Sequence, residues 1–157
     1  MRALPFLLAV LAAPAMADDL AETHFSMNFC WERTYSAEHM AEHPDQRVTR
    51  MVIRKEPLGF PKAPGETLME IAVMFRGADG SREGPQATAI GYCRPDGEER
   101  LDCALEGDAG RYEIAAEGQD LLLSVGEDGM AFESSRAMHE LRADEGDDRS
   151  FLLRRCG

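Results

Sequence analysis

The sequence predicts an all-β protein: an antiparallel up-and-down meander with one short N-terminal helix. Apolar and polar residues alternate over many short stretches, which is typical of strands with one buried face. Turns rich in glycine and aspartate separate these stretches about every ten residues. Because such short connections cannot hold the crossovers that parallel strands need, neighbouring strands are expected to be antiparallel.

The first predicted strand covers residues 24–35. Phe25, Met27, Phe29 and Trp31 occupy alternate positions, as they would on the buried face of a strand. This strand is expected to lead directly into the short helix.

That helix is predicted over residues 37–43. Ser36 precedes it and is a favourable N-cap residue, whose hydroxyl accepts a hydrogen bond from the first helical turn. Pro44 follows and ends it, since the residue before a proline avoids helical backbone angles.

The rest of the chain is predicted to form further strands. Proline- and glycine-rich loops or tight turns connect them, and a turn is expected at residues 126–129 between two of them. Residues 137–141 fit either a strand or a helical turn. The predicted strands are residues 46–56, 67–76, 86–93, 100–105, 111–116, 120–125, 130–133 and 150–156.

Strands of this number and length close into a small barrel or fold over as a sandwich. A barrel removes the exposed sheet edges that favour aggregation. We therefore expect a small, lipocalin-like β-barrel rather than a β-sandwich, although the pattern alone leaves both open.

Four cysteines give an even number, which in an exported protein indicates two disulfide bonds. Three pairings are possible, and we favour Cys93 with Cys103 and Cys30 with Cys156. The first pair brackets the turn signal at residues 94–97, and the second would join the first strand to the last. The absence of a Cys-x-x-Cys motif argues against thioredoxin-like chemistry and against a zinc ribbon.

The first seventeen residues have the pattern of a signal peptide. Arg2 is followed by a short apolar stretch and by the small-x-small motif at residues 15–17. Cleavage is expected after Ala17, leaving residues 18–157 as a single disulfide-stapled β domain in the periplasm. The apolar stretch is too short to span a bilayer, which takes about 20 residues.

The chain is acidic, with a formal net charge of −12. Such a charge repels phosphate backbones, which argues against nucleic-acid binding, and it also argues against anionic membrane surfaces. We expect a protein that does not insert into membranes and is a monomer.

One short motif matches a catalytic pattern. Residues 39–43 read His-x-x-Glu-His, with His39, Glu42 and His43 in the positions of a class of zinc peptidases. The immediately following Pro44 ends the helix that such an enzyme needs, so a solvated helical turn is the favoured interpretation.

Other chemistries find little support. The methionines are scattered rather than clustered as in copper sites, and the acidic turns do not match a calcium-binding loop. No Gly-x-Ser-x-Gly motif is present. We therefore predict no catalytic residue, no metal and no cofactor.

Several segments carry a resemblance. The first is Cys-Trp-x-Arg-x-Tyr at residues 30–35, followed by His39 and by His-Pro-Asp-Gln-x-Val at residues 43–48. The others are Cys93, residues 103–110 and residues 147–151. In these segments the chain resembles a family of small exported bacterial proteins without an assigned activity. The resemblance implies an exported domain and supplies no catalytic residues.

The favoured function is therefore binding rather than catalysis. We expect an interaction or inhibitor-type module that contacts a protein partner through a loop or strand edge. The alternative is a carrier that holds a small apolar ligand in the barrel, and a less favoured one is a zinc hydrolase using His39, Glu42 and His43. A filled interior would exclude the carrier, and its expected lining is Met69, Ile71, Val73, Phe75, Leu121 and Leu123.

Overall fold

The computed structural model describes residues 20–25, 30–146 and 148–157. The predicted signal peptide, and Met27 and Phe29 of the predicted first strand, lie outside these residues. The helices are α1 (Leu20–His24) and α2 (Ala37–Glu42), and the strands are β1 (Cys30–Thr34), β2 (Val48–Lys55), β3 (Thr67–Phe75), β4 (Gln86–Pro95), β5 (Arg100–Leu105), β6 (Gly110–Glu117), β7 (Asp120–Glu133), β8 (Met138–Leu141) and β9 (Ser150–Arg155).

Eight of the strands close into an antiparallel barrel, as the sequence predicts. Each of β1 to β7 pairs with the next strand in the chain, and β9 pairs with both β7 and β1 to complete the circle. The remaining strand, β8, pairs with the second half of β7 outside the circle. The small barrel is thus confirmed over the sandwich.

Different elements lie at the two ends of the barrel. We call one of them the clasp end; it carries the loop at residues 56–66, the β4–β5 turn and the bond between Cys30 and Cys156. The helix end carries α2, the loop at residues 76–85 and the β7–β8 hairpin. Because neighbouring strands run in opposite directions, every second connection along the chain lies at the same end of the barrel.

Both predicted disulfide bonds are present. Cys93 and Cys103 lie directly opposite each other in the β4–β5 hairpin, as the turn between them indicates. Cys30 begins β1 and is bonded to Cys156, just after β9. The second bond therefore joins the first and last strands of the barrel, which already pair through their backbones.

The predicted first strand is wrong at its start. His24 ends helix α1 rather than beginning a strand, and β1 starts at Cys30. Leu20, Ala21 and Phe25 are all buried. Their spacing is that of one face of a helix, and it competes with the strand-like alternation that includes Phe25. The indole N–H of Trp31 donates to the carbonyl of His24 at 2.9 Å and so stabilises the end of the helix.

The turn predicted at residues 126–129 is also wrong, because β7 runs through it as one strand. The register between β6 and β7 shifts at this point, where Gly129 has a φ of +75° and Gly110 a φ of +108°. The glycines therefore form a bulge rather than a turn. The bulge separates the half of β7 inside the barrel from the half that pairs with β8, so residues 138–141 form a strand.

Candidate partner-binding loop

The loop between β2 and β3 presents two large apolar side chains to solvent. Leu58 is 84% exposed and Phe60 is 89% exposed. In the described part of the chain, one other large apolar side chain is exposed, and less so: Met138, at 59%, on β8. Exposed apolar residues that stand close together mark interaction sites more often than single ones do.

The first half of this loop is held to the barrel by hydrogen bonds at its base. The N–H of Glu56 donates to the carbonyl of Leu68 at 2.8 Å, which extends the β2–β3 pairing. The carboxylate of Glu56 in turn accepts from the N–H of Leu58 at 2.9 Å. A Cβ added at Gly59 would meet the end of the Leu68 side chain, so the loop passes close over this residue.

The second half is anchored by Glu66. Its carboxylate accepts from the N–H of Ala63 at 2.8 Å and from the guanidinium of Arg94, on β4, at 2.7 Å. The Glu66 side chain is only 5% exposed. Burial raises the pKa of this carboxyl, but the hydrogen bonds from Arg94 and Ala63 outweigh that effect and hold the pKa below its usual range.

Prolines and a cation–π contact restrict the loop further. Pro57, Pro61 and Pro64 each fix one backbone φ angle, which reduces the freedom of the unbound loop. The ammonium of Lys62 lies 3.9 Å from the centre of the Tyr92 ring on β4. The loop is therefore a restrained feature that keeps Leu58 and Phe60 in solvent.

The residues expected to line the barrel interior are closely packed. The residues expected to line it are all buried, and a void large enough for a water molecule would give their side chains accessible surface. This packing argues against the carrier hypothesis. The exposed fraction is 0% for Met69, Ile71, Val73, Leu121 and Leu123, and 6% for Phe75.

The two histidines of the zinc-like motif lie against each other and against Gln46. The rings of His39 and His43 stack with their centres 4.2 Å apart. Nε2 of His39 is 2.8 Å from the side-chain oxygen of the buried Gln46. Among residues 20–25, 30–146 and 148–157, no group of three potential ligands is placed to hold a metal ion. The zinc-hydrolase hypothesis therefore has no geometric support.

The neighbourhood of these histidines is a structural network at the helix end. The guanidinium of Arg76 donates to the carbonyls of Met40 at 2.8 Å and of His43 at 2.9 Å, which satisfies the end of α2. Beside it an open cleft of about 690 Å3 separates α2 from the loop at residues 79–83. Because Arg76 is already bonded to backbone carbonyls, it is a helix cap rather than a free cation facing this cleft.

A second cleft, of about 670 Å3, lies between residues 77–86 and the β7–β8 turn. On its wall the hydroxyl of Ser134 is 3.1 Å from Nε2 of His139. The hydroxyl donates to the carbonyl of Ala137 at 2.8 Å, so its proton is not directed at the imidazole. Ser134 and His139 therefore stabilise the β7–β8 turn, and their geometry does not indicate a serine nucleophile.

The sequence alone does not predict a site in the loop at residues 56–66. The available signal was two large apolar residues among three prolines in a segment between strands.

Within the described ranges, no helix is long and apolar enough to cross a membrane. None of the protein-family models, curated proteins or solved structures compared with the chain matches it.

Proposed function

We propose that the chain is an exported protein-interaction module that binds a protein partner through the loop at residues 56–66. The observation that carries this proposal is the 84% and 89% exposure of Leu58 and Phe60 on an anchored loop. Transfer of such a side chain into an apolar pocket contributes about 1.5–3 kcal/mol. A restrained loop loses less conformational entropy on binding, so more of that contribution remains as affinity.

The cellular setting belongs to the same proposal. The signal-peptide pattern supports export to the periplasm with cleavage after Ala17, and two disulfide bonds fit an oxidising compartment. Closure of the sheet satisfies the edges of the eight barrel strands internally, which supports a monomer.

Site-specific photo-crosslinking tests the proposal. A benzophenone amino acid in place of Phe60 should give one discrete protein adduct in the periplasm of the source cells. The same group in place of Met138, exposed at the opposite end of the barrel, should give none. Excess unlabelled chain should suppress the adduct, and excess Leu58→Ser/Phe60→Ser chain should not. Equal labelling from both positions, or suppression by the double variant, would contradict a role for this loop.

A further inference from the structure

We infer that the partner is an endopeptidase with an apolar primary pocket, and that residues 58–61 enter its active-site cleft as a segment that resists cleavage. This inference rests on the proposed function, because it requires the same loop to be the binding surface. It adds the chemical class of the partner and the residue that fills its pocket.

The backbone of the loop tip is free to pair with another chain. Among the residues the structure describes, none hydrogen-bonds to the backbone of residues 59–61. Endopeptidases bind their substrates as extended segments, through main-chain hydrogen bonds and side-chain pockets. The segment offers unused N–H and carbonyl groups for the main-chain contacts and the exposed Phe60 for the pocket.

The order of residues explains why the bound segment would inhibit rather than be digested. If Phe60 fills the primary pocket, the bond presented for cleavage is Phe60–Pro61. Acylation would transfer the Phe60 carbonyl to the enzyme nucleophile, break the bond to the Pro61 nitrogen and place a proton on that nitrogen. The Pro61 nitrogen is part of the proline ring, which fixes the φ angle of this residue. The leaving nitrogen therefore cannot rotate into position to take a proton from the catalytic acid of the enzyme.

The anchors on both sides of the tip support the same behaviour. Glu56 and Leu68 hold the segment before it, and Glu66 with Arg94 holds the segment after it. If the tip were cut, these anchors would keep the new ends near each other, so the cleaved form would leave the enzyme only slowly. The buried Cys93–Cys103 bond lies beside this base, because Thr67 pairs with Cys93.

The negative charge near the loop favours a partner with positive charge around its primary pocket. The β4–β5 turn shares the clasp end with the loop and carries the exposed carboxylates of Asp96, Glu98 and Glu99. The chain as a whole has a net charge of −12. An endopeptidase with a cationic rim around its cleft would therefore associate fastest.

Inhibition assays on the oxidised chain of residues 18–157 test the inference. The probes are chymotrypsin, whose primary pocket is hydrophobic, subtilisin, and trypsin, whose pocket holds an aspartate and requires a cation. Hydrolysis of a chromogenic peptide by at least one of the first two enzymes should be inhibited, and hydrolysis by trypsin should not. Phe60→Ala should raise Ki at least 30-fold, whereas Met138→Ala should leave it unchanged.

Pro61→Ala supplies a second, independent readout. This variant should inhibit at first and then lose inhibition with time, as mass spectrometry shows a cut after residue 60. Circular dichroism and intact mass confirm that each variant keeps its strands and both disulfide bonds. Lack of inhibition of chymotrypsin and subtilisin at 100 μM chain, equal inhibition of trypsin, or a Ki unaffected by Phe60→Ala would each overturn the inference.

The inference and the proposed function can fail separately. If crosslinking from position 60 captures a protein that is not a peptidase, the interaction module stands and this inference falls. If wild-type chain floats with vesicles of phosphatidylcholine and phosphatidylglycerol and Phe60→Ala does not, the loop is a membrane anchor and both are overturned.

Discussion

The hydroxyl of Tyr112 lies 3.3 Å from Sγ of Cys93 inside the barrel, where both residues are shielded from solvent. Burial raises the pKa of this phenol far above its usual value, so Tyr112 stays neutral and its hydroxyl remains a hydrogen-bond donor. The space for its ring exists because Gly91, on β4, has no side chain. The Cys93–Cys103 bond is thereby enclosed by the core.

The two disulfide bonds should differ in their resistance to reduction. Thiol–disulfide exchange requires a thiolate to reach a sulfur atom, and Cys30 and Cys156 are partly exposed whereas Cys93 and Cys103 have no exposed surface. Dithiothreitol without denaturant should therefore reduce Cys30–Cys156 first. Alkylation and peptide mapping over time would measure this order, and in urea both bonds should open together. Reduction of both at one rate under native conditions would contradict the enclosure.

Gly91→Ala should destabilise the protein by about 1–3 kcal/mol, because the added methyl group would overlap the Tyr112 hydroxyl and ring edge. Urea unfolding measures the change. The hydroxyl is the nearest atom, so the same substitution in a Tyr112→Phe background should cost less. An equal cost in both backgrounds would show that the clash with Tyr112 is not its cause.

The barrel was largely predictable because its determinants are local. The alternating residues of β3 and the turn between β4 and β5 predict strands and a hairpin without knowledge of the rest of the fold. The pairing of Cys93 with Cys103 follows from that hairpin. Closure is less local, and it was inferred from the need to satisfy strand edges and from a bond between the ends of the domain.

The errors arose where two local patterns competed. Phe25 fits both an alternating strand and the helical face shared with Leu20 and Ala21, and packing against the core selects the helix. Glycines suit both a turn and a bulge, and the pairing partners of β7 decide between them. The loop site was missed because the exposure of Phe60 depends on whether the barrel offers it a pocket, which no local pattern reports.

The order of the loop should depend on pH through Glu66. The pKa of Glu66 is lower in the folded state than the ordinary value of about 4.3. The contribution of its carboxylate to holding the loop is therefore fully present above that value and is lost as the pH falls through the folded pKa. The amide signal of Ala63 in NMR spectra should therefore broaden or shift at a pH well below that ordinary value and not at pH 6. Glu66→Gln should lose the anchored signal at both pH values. Glu70→Gln, on the neighbouring β3, should behave like wild type.

Asp148 should be important for stability at the helix end. It is 2% exposed and accepts hydrogen bonds from the N–H groups of Arg47 at 2.7 Å and Val48 at 3.1 Å. Asp148→Ala leaves these donors without that acceptor and should lower the free energy of unfolding by about 3 kcal/mol. Asp148→Asn keeps one acceptor oxygen and should cost less. Asp144→Ala, whose side chain is 72% exposed, is the control, and an equal effect there would exclude a specific role for the buried carboxylate.

Leu58→Ser/Phe60→Ser should leave the free energy of unfolding within about 0.5 kcal/mol of wild type, because these side chains have almost no contacts to lose. Met69→Ala, at a position with no exposure, should cost about 2–5 kcal/mol. Urea unfolding of the three chains gives the comparison. If the double variant were as destabilised as Met69→Ala, Leu58 and Phe60 would be packing residues. A neutral double variant that neither suppresses the crosslinked adduct as a competitor nor inhibits a peptidase would mean that these two side chains act on a partner and not on the fold.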